Sequence, residues 1–313
     1  MKRFILSLIA LTFLSCSAEA ASCFWVGGSG TWDQTNTGGG GTGGIKWASA
    51  SGGGSACTAT SGPAAGVPGP SDTVSFDANS GGGTATVAAT FNSTNTISAI
   101  STMAGYTGTL DFSVNNPNIS MASISCSGTG AKTLKMGSGT FTMTQANGTL
   151  VDLGGGSCTV NAGTSTLLLS ATAASSRFIS LGNNTTLYNV TVSNPSYNTY
   201  TIDLSNGGTP ITVNNLTFTN VGIVTLGNGI SWTINGTLTY DGQSATQPSI
   251  LNSRGTAFTL SVAGANTLNN LVIQNLTKAG AGSITCNNCY SGGGNTSVTI
   301  NNPATGGGGI IGG

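Results

Sequence analysis

The 313 residues of this chain include no histidine. Cysteine and aspartate are therefore the residues whose types and spacing could support disulfide formation, metal binding or acid–base catalysis. Six cysteines follow an apolar amino-terminal leader, and an even number in an oxidising compartment would allow three disulfide bridges. The candidates are Cys23, Cys57, Cys126, Cys158, Cys286 and Cys289. A bridge between Cys23 and Cys57 would hold a glycine-rich segment that has little else to order it. Cys126 and Cys158 both have core-facing parity, so a bridge and two buried free thiols fit them equally well.

The segment "CNNCY" at residues 286–290 is the one CxxC motif of the chain. A redox function for such a motif needs a βαβ context, which the surrounding sequence does not predict. A zinc site needs a second pair of ligands, and the chain offers no histidine to supply it. The motif therefore predicts a local structural bridge, and we expect the chain to bind no metal and no cofactor.

Carboxylates are the other candidates, because glycoside hydrolysis uses two of them at a set separation. The aspartates are Asp33, Asp72, Asp77, Asp111, Asp152, Asp203 and Asp241, and they are scattered. Asp72 and Asp77 are the nearest pair, but side chains five residues apart on a strand face opposite sides. The pattern predicts no catalytic centre, and a polysaccharide-degrading enzyme is the less favoured alternative.

The leader fixes the expected compartment. Lys2 and Arg3 precede an apolar run over residues 4–14, and the small residues Ala18 and Ala20 suit a signal peptidase. We therefore predict a signal peptide over 1–20, a mature chain that begins at Ala21, and a secreted or cell-surface protein. No later apolar run approaches the ~20 residues of a membrane-spanning helix, so no membrane span is predicted in the mature chain.

Charge argues against nucleic acid as a partner. Without Lys2, Arg3 and Glu19, the chain keeps six basic residues and seven aspartates, and the basic residues stand singly. Nucleic-acid binding depends on clustered lysine and arginine, so DNA and RNA are not expected ligands. The composition is 38% hydrophobic, which is enough to build a core.

Alternating apolar and polar residues predict an almost entirely β chain. In "TGTLDFSVNN", Leu110, Phe112 and Val114 alternate with polar residues, and similar runs recur between turns rich in glycine and asparagine. Four segments can be aligned with one another: "TLYNVTVSN" at 186, "TVNNLTFTN" at 212, "TINGTLTYD" at 233 and "TLNNLVIQN" at 267. Their variable spacing is typical of solenoid coils with loops of different lengths. We predict a right-handed parallel β-helix, with a β-sandwich array as the alternative.

A solenoid must cover its ends, and the aromatic residues suggest how. Three of the four tryptophans lie between residues 22 and 57. We predict a Trp/Gly-rich cap over 21–84, a shaft over 85–302 and a glycine-rich tail over 303–313. The aromatics expected to plug the first coil are Phe24, Trp25, Trp32, Trp47 and Phe76. The alternative function for them is stacking on carbohydrate from an exposed position.

The opening "FWVGGSGTWD", the later "VPGPSDTVSFDANS" and the closing "CNNCYSGGGNTSVTI" resemble a group of phage-encoded or prophage-associated and bacterial surface proteins with β-helical shafts. The similarity covers nearly the whole mature chain and implies an adhesin-like architecture in an outer-surface setting. From these features we expect a non-enzymatic extracellular protein for adhesion, display or structural assembly. A phage or prophage tail appendage is the main alternative. The expected partners are a glycan or cell-surface ligand, or further copies joined end to end or as a trimer.

Overall fold

The computed structural model of the protein describes residues 20–33, 46–91, 97–126, 128–145, 148–154, 157–170, 177–180, 186–193, 201–203, 210–226, 229–253 and 255–303. Residues 1–19 of the predicted signal peptide and residues 304–313 of the predicted tail lie outside this part of the chain.

Short strands make up nearly all of the regular structure. The amino-terminal strands are β1 (Ser22–Trp25), β2 (Gly30–Thr31), β3 (Trp47–Ala48), β4 (Thr73–Ser75), β5 (Thr84–Thr86), β6 (Ala99–Thr102), β7 (Thr109–Asp111), β8 (Ile119–Met121), β9 (Ser123–Ser125) and β10 (Lys132–Lys135). The central strands are β11 (Thr140–Met143), β12 (Gly148–Asp152), β13 (Cys158–Asn161), β14 (Thr166–Ser170), β15 (Arg177–Ser180), β16 (Asn189–Ser193), β17 (Thr201–Asp203), β18 (Ile211–Val213), β19 (Asn215–Thr219) and β20 (Ile223–Thr225). The carboxy-terminal strands are β21 (Ser231–Ile234), β22 (Leu238–Asp241), β23 (Ser249–Asn252), β24 (Phe258–Val262), β25 (Ala265–Asn269), β26 (Leu271–Ile273), β27 (Leu276–Ala279), β28 (Ser283–Asn287), β29 (Tyr290–Ser291) and β30 (Thr299–Asn301).

The strands wind into stacked coils with three faces. Face A is a 12-stranded sheet in the order β29-β26-β23-β20-β17-β15-β12-β9-β6-β4-β1-β3. Face B consists of two sheets, β13-β10-β7-β5-β2 in the early coils and β18-β21-β24-β27 in the later ones. Face C is a 9-stranded sheet in the order β30-β28-β25-β22-β19-β16-β14-β11-β8. Each complete coil visits face A, then face B, then face C.

Parallel pairing confirms the predicted β-solenoid and excludes the β-sandwich array. Among the named strands, antiparallel pairing is confined to β1 and β3. The coils bury one side of each strand: Val190 and Val192 of β16 lie between Leu167 and Leu169 of β14 and the corresponding residues of β19. A parallel stack places equivalent aliphatic residues one above another at about 4.8 Å, which produces one continuous core.

Stacking begins earlier than the predicted boundary between cap and shaft at residue 84. β1 pairs in parallel with β4, and β2 pairs in parallel with β5. Strands of the segment predicted as the Trp/Gly-rich cap therefore already take part in the parallel stack. β3 is the element of this segment that does not follow the coil.

The four aligned segments do not all occupy the same position. Thr186, Thr212 and Thr233 lie side by side in successive coils, as the alignment predicts. The segment that begins at Thr267 instead passes from face C to face A. Its Asn270 has a positive φ of 56°, whereas Asn189, Asn215 and Asn235 of the other three segments do not, so the shared motif does not correspond to one turn geometry. Asparagine adopts this conformation more readily than most residues.

Helical structure in the described residues is limited to the 3₁₀ turn Ala78–Ser80. None of these residues forms a helix that is long and apolar enough to cross a membrane.

Candidate functional site

A row of threonines runs along the outer side of face C. The register aligns Thr142 with Leu168, and Leu168 with Thr191, Thr217 and Thr239 in turn. Asp241 lies opposite Asn269, and the same register places Thr239 beside Thr267. Thr285 and Thr299 follow in the next two strands. We call this set the threonine row: Thr142, Thr191, Thr217, Thr239, Thr267, Thr285 and Thr299. Leu168 interrupts it once.

The threonine row lies beside ladders of amides that bond to one another. Asn215 donates to Asn189 at 2.8 Å, and Asn301 donates to Asn287 at 2.8 Å. Asn269 donates to the carboxylate of Asp241 at 2.7 Å. These bonds hold the edge of the face in a fixed arrangement, since each amide is fastened to the coil above or below it.

The hydroxyl groups of the threonine row do not form such side-chain hydrogen bonds. Within the described residues, none of the seven hydroxyls takes part in a side-chain hydrogen bond, whereas Thr166 and Thr237 beside them do. Thr267 and Thr299 are exposed, and the other members are half-buried. A strand spacing of about 4.8 Å makes the row a regular array of donors and acceptors available to a ligand.

The aromatic cluster at the amino-terminal end is buried rather than exposed. Trp25, Trp32, Trp47 and Phe76 are each 0% exposed. The rings of Trp32 and Trp47 lie 4.5 Å apart, and those of Trp25 and Trp47 lie 5.1 Å apart. The indole N–H of Trp47 donates to the carbonyl of Trp32 at 2.9 Å. These side chains fill the interior of the first coil, as predicted for a plug, and their rings are not accessible to a carbohydrate.

Phe24 does not belong to this cluster. It alternates with the buried Cys23 and Trp25 on β1, so its side chain points outward and is half-buried. The sequence prediction included Phe24 because it grouped aromatics by proximity instead of by strand parity. It also missed Phe91 and Tyr106, whose rings contact Trp32 at 4.8 Å and Phe76 at 5.2 Å. Both residues lie in turns outside the strands, so strand parity did not indicate them.

The six cysteines form three disulfides. Cys23 pairs with Cys57, Cys126 with Cys158, and Cys286 with Cys289, with Cα atoms 5.5, 6.0 and 5.7 Å apart. The second pair joins the end of β9 to the start of β13 in the next coil, which settles the open question between a bridge and free thiols. The third pair lies within one coil and is fully buried.

The aspartates with described side chains each have a local partner. Asp33 accepts from Thr90 at 3.2 Å, Asp152 from the backbone of Gly154 at 3.1 Å, and Asp77 caps the 3₁₀ turn. Asp72 is fully buried and accepts from three donors, Ala21, Ser61 and Gly69. The side chain of Asp203 lies outside the described part of the chain. Across the residues that are described, no group of three or more His, Cys, Asp or Glu could hold a metal ion.

Two charged groups on the early coils have shifted pKa values. Burial alone would raise the pKa of Asp111, but hydrogen bonds from Ser113 and the ammonium of Lys135 at 3.2 Å outweigh burial and hold this pKa below its usual value. Burial lowers the pKa of Lys132, whose ammonium donates to the carbonyls of Gly128, Thr129 and Gly130. These interactions fasten corners of the solenoid.

Face A carries an outward apolar row on the later coils. Ile223, Ile250, Val272 and Tyr290 lie side by side in successive coils. Tyr290 is 39% exposed, and the three aliphatic side chains are half-buried.

No protein-family model, no curated protein and no solved structure matches the chain.

Proposed function

We propose that this is an exported, non-enzymatic surface protein that binds an extended glycan along face C. The threonine row carries the proposal. It presents hydroxyl groups at a regular spacing, none of them used by a described side chain, on a face whose neighbouring amide ladders are already bonded. A polysaccharide offers repeating hydroxyls that can donate to and accept from such an array.

The chemistry of the face favours a neutral, repeating ligand. Its outward residues are mostly threonine, serine and asparagine, with Leu168 and Ala265 as apolar exceptions, and Asp241 is the charged residue among those of β14 to β30 on this face. Hydrogen bonds with uncharged groups are individually weak, at about 0.5–1.5 kcal/mol net, so affinity depends on many of them acting together. A rigid face lowers the entropy lost when such a ligand binds.

Export is supported by the cysteines. Three disulfides persist in oxidising compartments and are rare in the cytosol of most organisms. The predicted signal peptide agrees with that compartment and accounts for residues 1–20.

A non-enzymatic role is supported by the use made of the carboxylates. Asp72, Asp77 and Asp111 are engaged in fastening turns and corners, and Asp241 belongs to an amide ladder. A glycosidase needs one carboxyl group free to act as an acid and another free to act as a base or nucleophile.

The test is binding of the purified mature protein to a panel of polysaccharides, with a triple variant of the row. Thr191→Val, Thr217→Val and Thr239→Val together remove three hydroxyls and keep the β-branched shape. We expect binding to fall at least about tenfold, because three hydroxyls that each contribute at least about 0.5 kcal/mol together contribute about 1.5 kcal/mol. The matched control is Thr84→Val, Thr109→Val and Thr133→Val, which changes three stacked threonines on face B.

Equal loss in the two triple variants, or no loss in either, would contradict a ligand site on face C. Release of reducing ends or unsaturated products from any polysaccharide would contradict the non-enzymatic role.

A second candidate is a phage or prophage appendage assembled from several copies, which the apolar row on face A favours. Side-by-side packing of three shafts would bury Ile223, Ile250 and Val272, which a monomer leaves partly open to water. Light scattering would give the mass in solution. A trimer that dissociates on Ile250→Asp supports this candidate, and a monomeric parent protein contradicts it.

A further inference from the structure

A fully buried carboxylate lies next to the position where the predicted signal peptide ends. Asp72 is 0% exposed. Its Oδ1 accepts a hydrogen bond from the backbone nitrogen of Ala21 at 2.8 Å. Its Oδ2 accepts from the hydroxyl of Ser61 at 2.6 Å and from the backbone nitrogen of Gly69 at 2.9 Å. All three donors are neutral in the uncleaved chain.

Nothing in the described structure neutralises this carboxylate. The salt bridge found among the described residues joins Lys135 to Asp111 in later coils. A carboxylate that is removed from water without a cation is unfavourable even when it is hydrogen-bonded, and a paired one is much less so. Fixing the turn at residues 69–72 explains the two bonds to Oδ2. It does not explain why Oδ1 is directed at Ala21.

The nitrogen of Ala21 is held in place by the chain that follows it. The carbonyl of Ala21 accepts from the nitrogen of Thr73 at 2.9 Å, and Ser22 lies opposite Thr73 in the parallel ladder. The disulfide of Cys23 then joins this strand to Cys57. Ala21 is half-buried, whereas Ala20 is exposed. Cutting the peptide bond between them would therefore leave the nitrogen beside Asp72.

We propose that cleavage between Ala20 and Ala21 creates a buried ion pair between the new α-ammonium group and Asp72. Hydrolysis consumes one water molecule: the new carboxylate leaves with Ala20, and the amine stays on Ala21 and takes up a proton. An α-amine with an ordinary pKa of about 7.7–8.0 is largely charged at neutral pH. A hydrogen bond from a neutral amide to the carboxylate thereby becomes one between two opposite charges.

This ion pair would complete the cap only after export. It rests on the predicted signal peptide, and it adds a processing site to the proposed function. The uncleaved precursor would have a weaker first coil, because Asp72 would then face an amide instead of a cation. A first coil that is less stable before cleavage is also easier to keep unfolded for export.

The test compares proteins that differ only at these two groups. One set begins at Ala21, released from a fusion partner without extra residues, and the other carries a short Gly-Ser extension before Ala21. Each is made with Asp72 and with Asp72→Asn. The first readout is the rate at which the α-amine is acylated near pH 7, and the second is the thermal unfolding midpoint.

In the protein that begins at Ala21, whose nitrogen lies 2.8 Å from Asp72 Oδ1, we expect acylation to be about tenfold slower with Asp72 than with Asp72→Asn. Pairing raises the pKa of the amine, and one unit of pKa is a tenfold change in the free base that reacts. We expect the Gly-Ser extension to lower the unfolding midpoint by about 2–4 °C with Asp72 and to have no effect with Asp72→Asn. The matched control Asp77→Asn removes a carboxylate from the half-buried cap of the 3₁₀ turn and should leave both differences intact.

Equal acylation rates, or equal midpoints with and without the extension, would overturn the ion pair. If Asp72→Asn does not fold, the extended and unextended proteins with Asp72 still decide the matter through their midpoints. Sequencing the amino terminus of the exported protein checks the cleavage, and a terminus other than Ala21 overturns the processing site. Glycan binding by the threonine-row variants is a separate measurement, so its failure would not affect this result.

Discussion

At the amino-terminal end, β3 runs antiparallel along the outer edge of β1, and three fully buried tryptophans fill the coil behind it. At the carboxy-terminal end, β29 and β30 are the outermost described strands of faces A and C, and Val298 and Ile300 beside them are partly buried. The first end is covered by aromatic volume, a strand and a long-range disulfide. The second end, over the residues that are described, continues the ordinary coil.

This difference indicates where the stability of the molecule is concentrated. A parallel stack propagates because each coil covers the one before it, and the aromatic side chains, β3 and the disulfide cover the first coil. We therefore expect changes at the amino-terminal end to cost more stability than changes in the last described coil.

The largest effect is expected from breaking the aromatic cover. Trp47→Ala should lower the free energy of unfolding by about 3–5 kcal/mol, because it removes a fully buried ring that contacts Trp25, Trp32 and Phe76. Guanidinium unfolding followed by near-ultraviolet circular dichroism would measure it. The control at the other end is Ile300→Ala, which should cost less than about 2 kcal/mol since this side chain is only partly buried. Similar losses at both ends would show that the two ends do not differ in this way.

Removing disulfides should sharpen the same contrast with a smaller effect. The Cys23–Cys57 bridge spans 34 residues and the Cys286–Cys289 bridge spans 3. Chain entropy assigns about 4 kcal/mol to the longer loop and about 2 kcal/mol to the shorter one. Cys23→Ser with Cys57→Ser should therefore lower the free energy of unfolding about twice as much as Cys286→Ser with Cys289→Ser. The reverse order would mean that the local bridge stabilises the carboxy-terminal end by some means other than loop closure.

Corners provide a third test, because the positive-φ residues of the early coils are nearly all glycine, whereas the later coils use asparagine as well as glycine. Gly105 has φ 76°, and a Cβ there would lie 3.0 Å from the Cβ of Ala78. Gly105→Ala should cost more than about 1–2 kcal/mol, which is the conformational cost alone. Asn275, with φ 57°, already carries a side chain, so Asn275→Ala should cost only about 1 kcal/mol and Asn275→Gly less. Thermal unfolding of the three variants would rank them, and equal losses would argue against a crowded early corner.

Much of the fold could be predicted from the sequence, since a period of two residues and repeated glycine and asparagine corners are local signals. The alternation around Leu110 and Phe112 placed both side chains in the core, where they lie. Register between coils is a long-range property that local patterns do not encode. For this reason the segment at Thr267 was aligned with three segments that occupy a different corner.

The candidate site was less predictable for the same physical reason. The members of the threonine row stand 14 to 28 residues apart in sequence from Thr191 onward, and nothing marks them until stacking places them side by side. The cysteines, by contrast, were identifiable from residue type alone. For Cys126 and Cys158, parity placed both side chains in the core, where they lie, but it left a bridge and two free thiols equally possible.

The smallest effect concerns pH and the early coils. Asp111 has a lowered pKa in the folded protein, so its interactions with Ser113 and Lys135 stabilise the fold above the ordinary pKa of an aspartate. That contribution should be lost as the pH falls below about 4 and through the lowered pKa of the folded state. Asp111→Asn should therefore lower the thermal midpoint most at pH 7 and by progressively less as the pH falls below about 4. Lys135→Met should have the same sign and a smaller size, because the ammonium is 41% exposed and screened by water. A constant offset of Asp111→Asn at all pH values would instead assign the effect of Asp111 to packing.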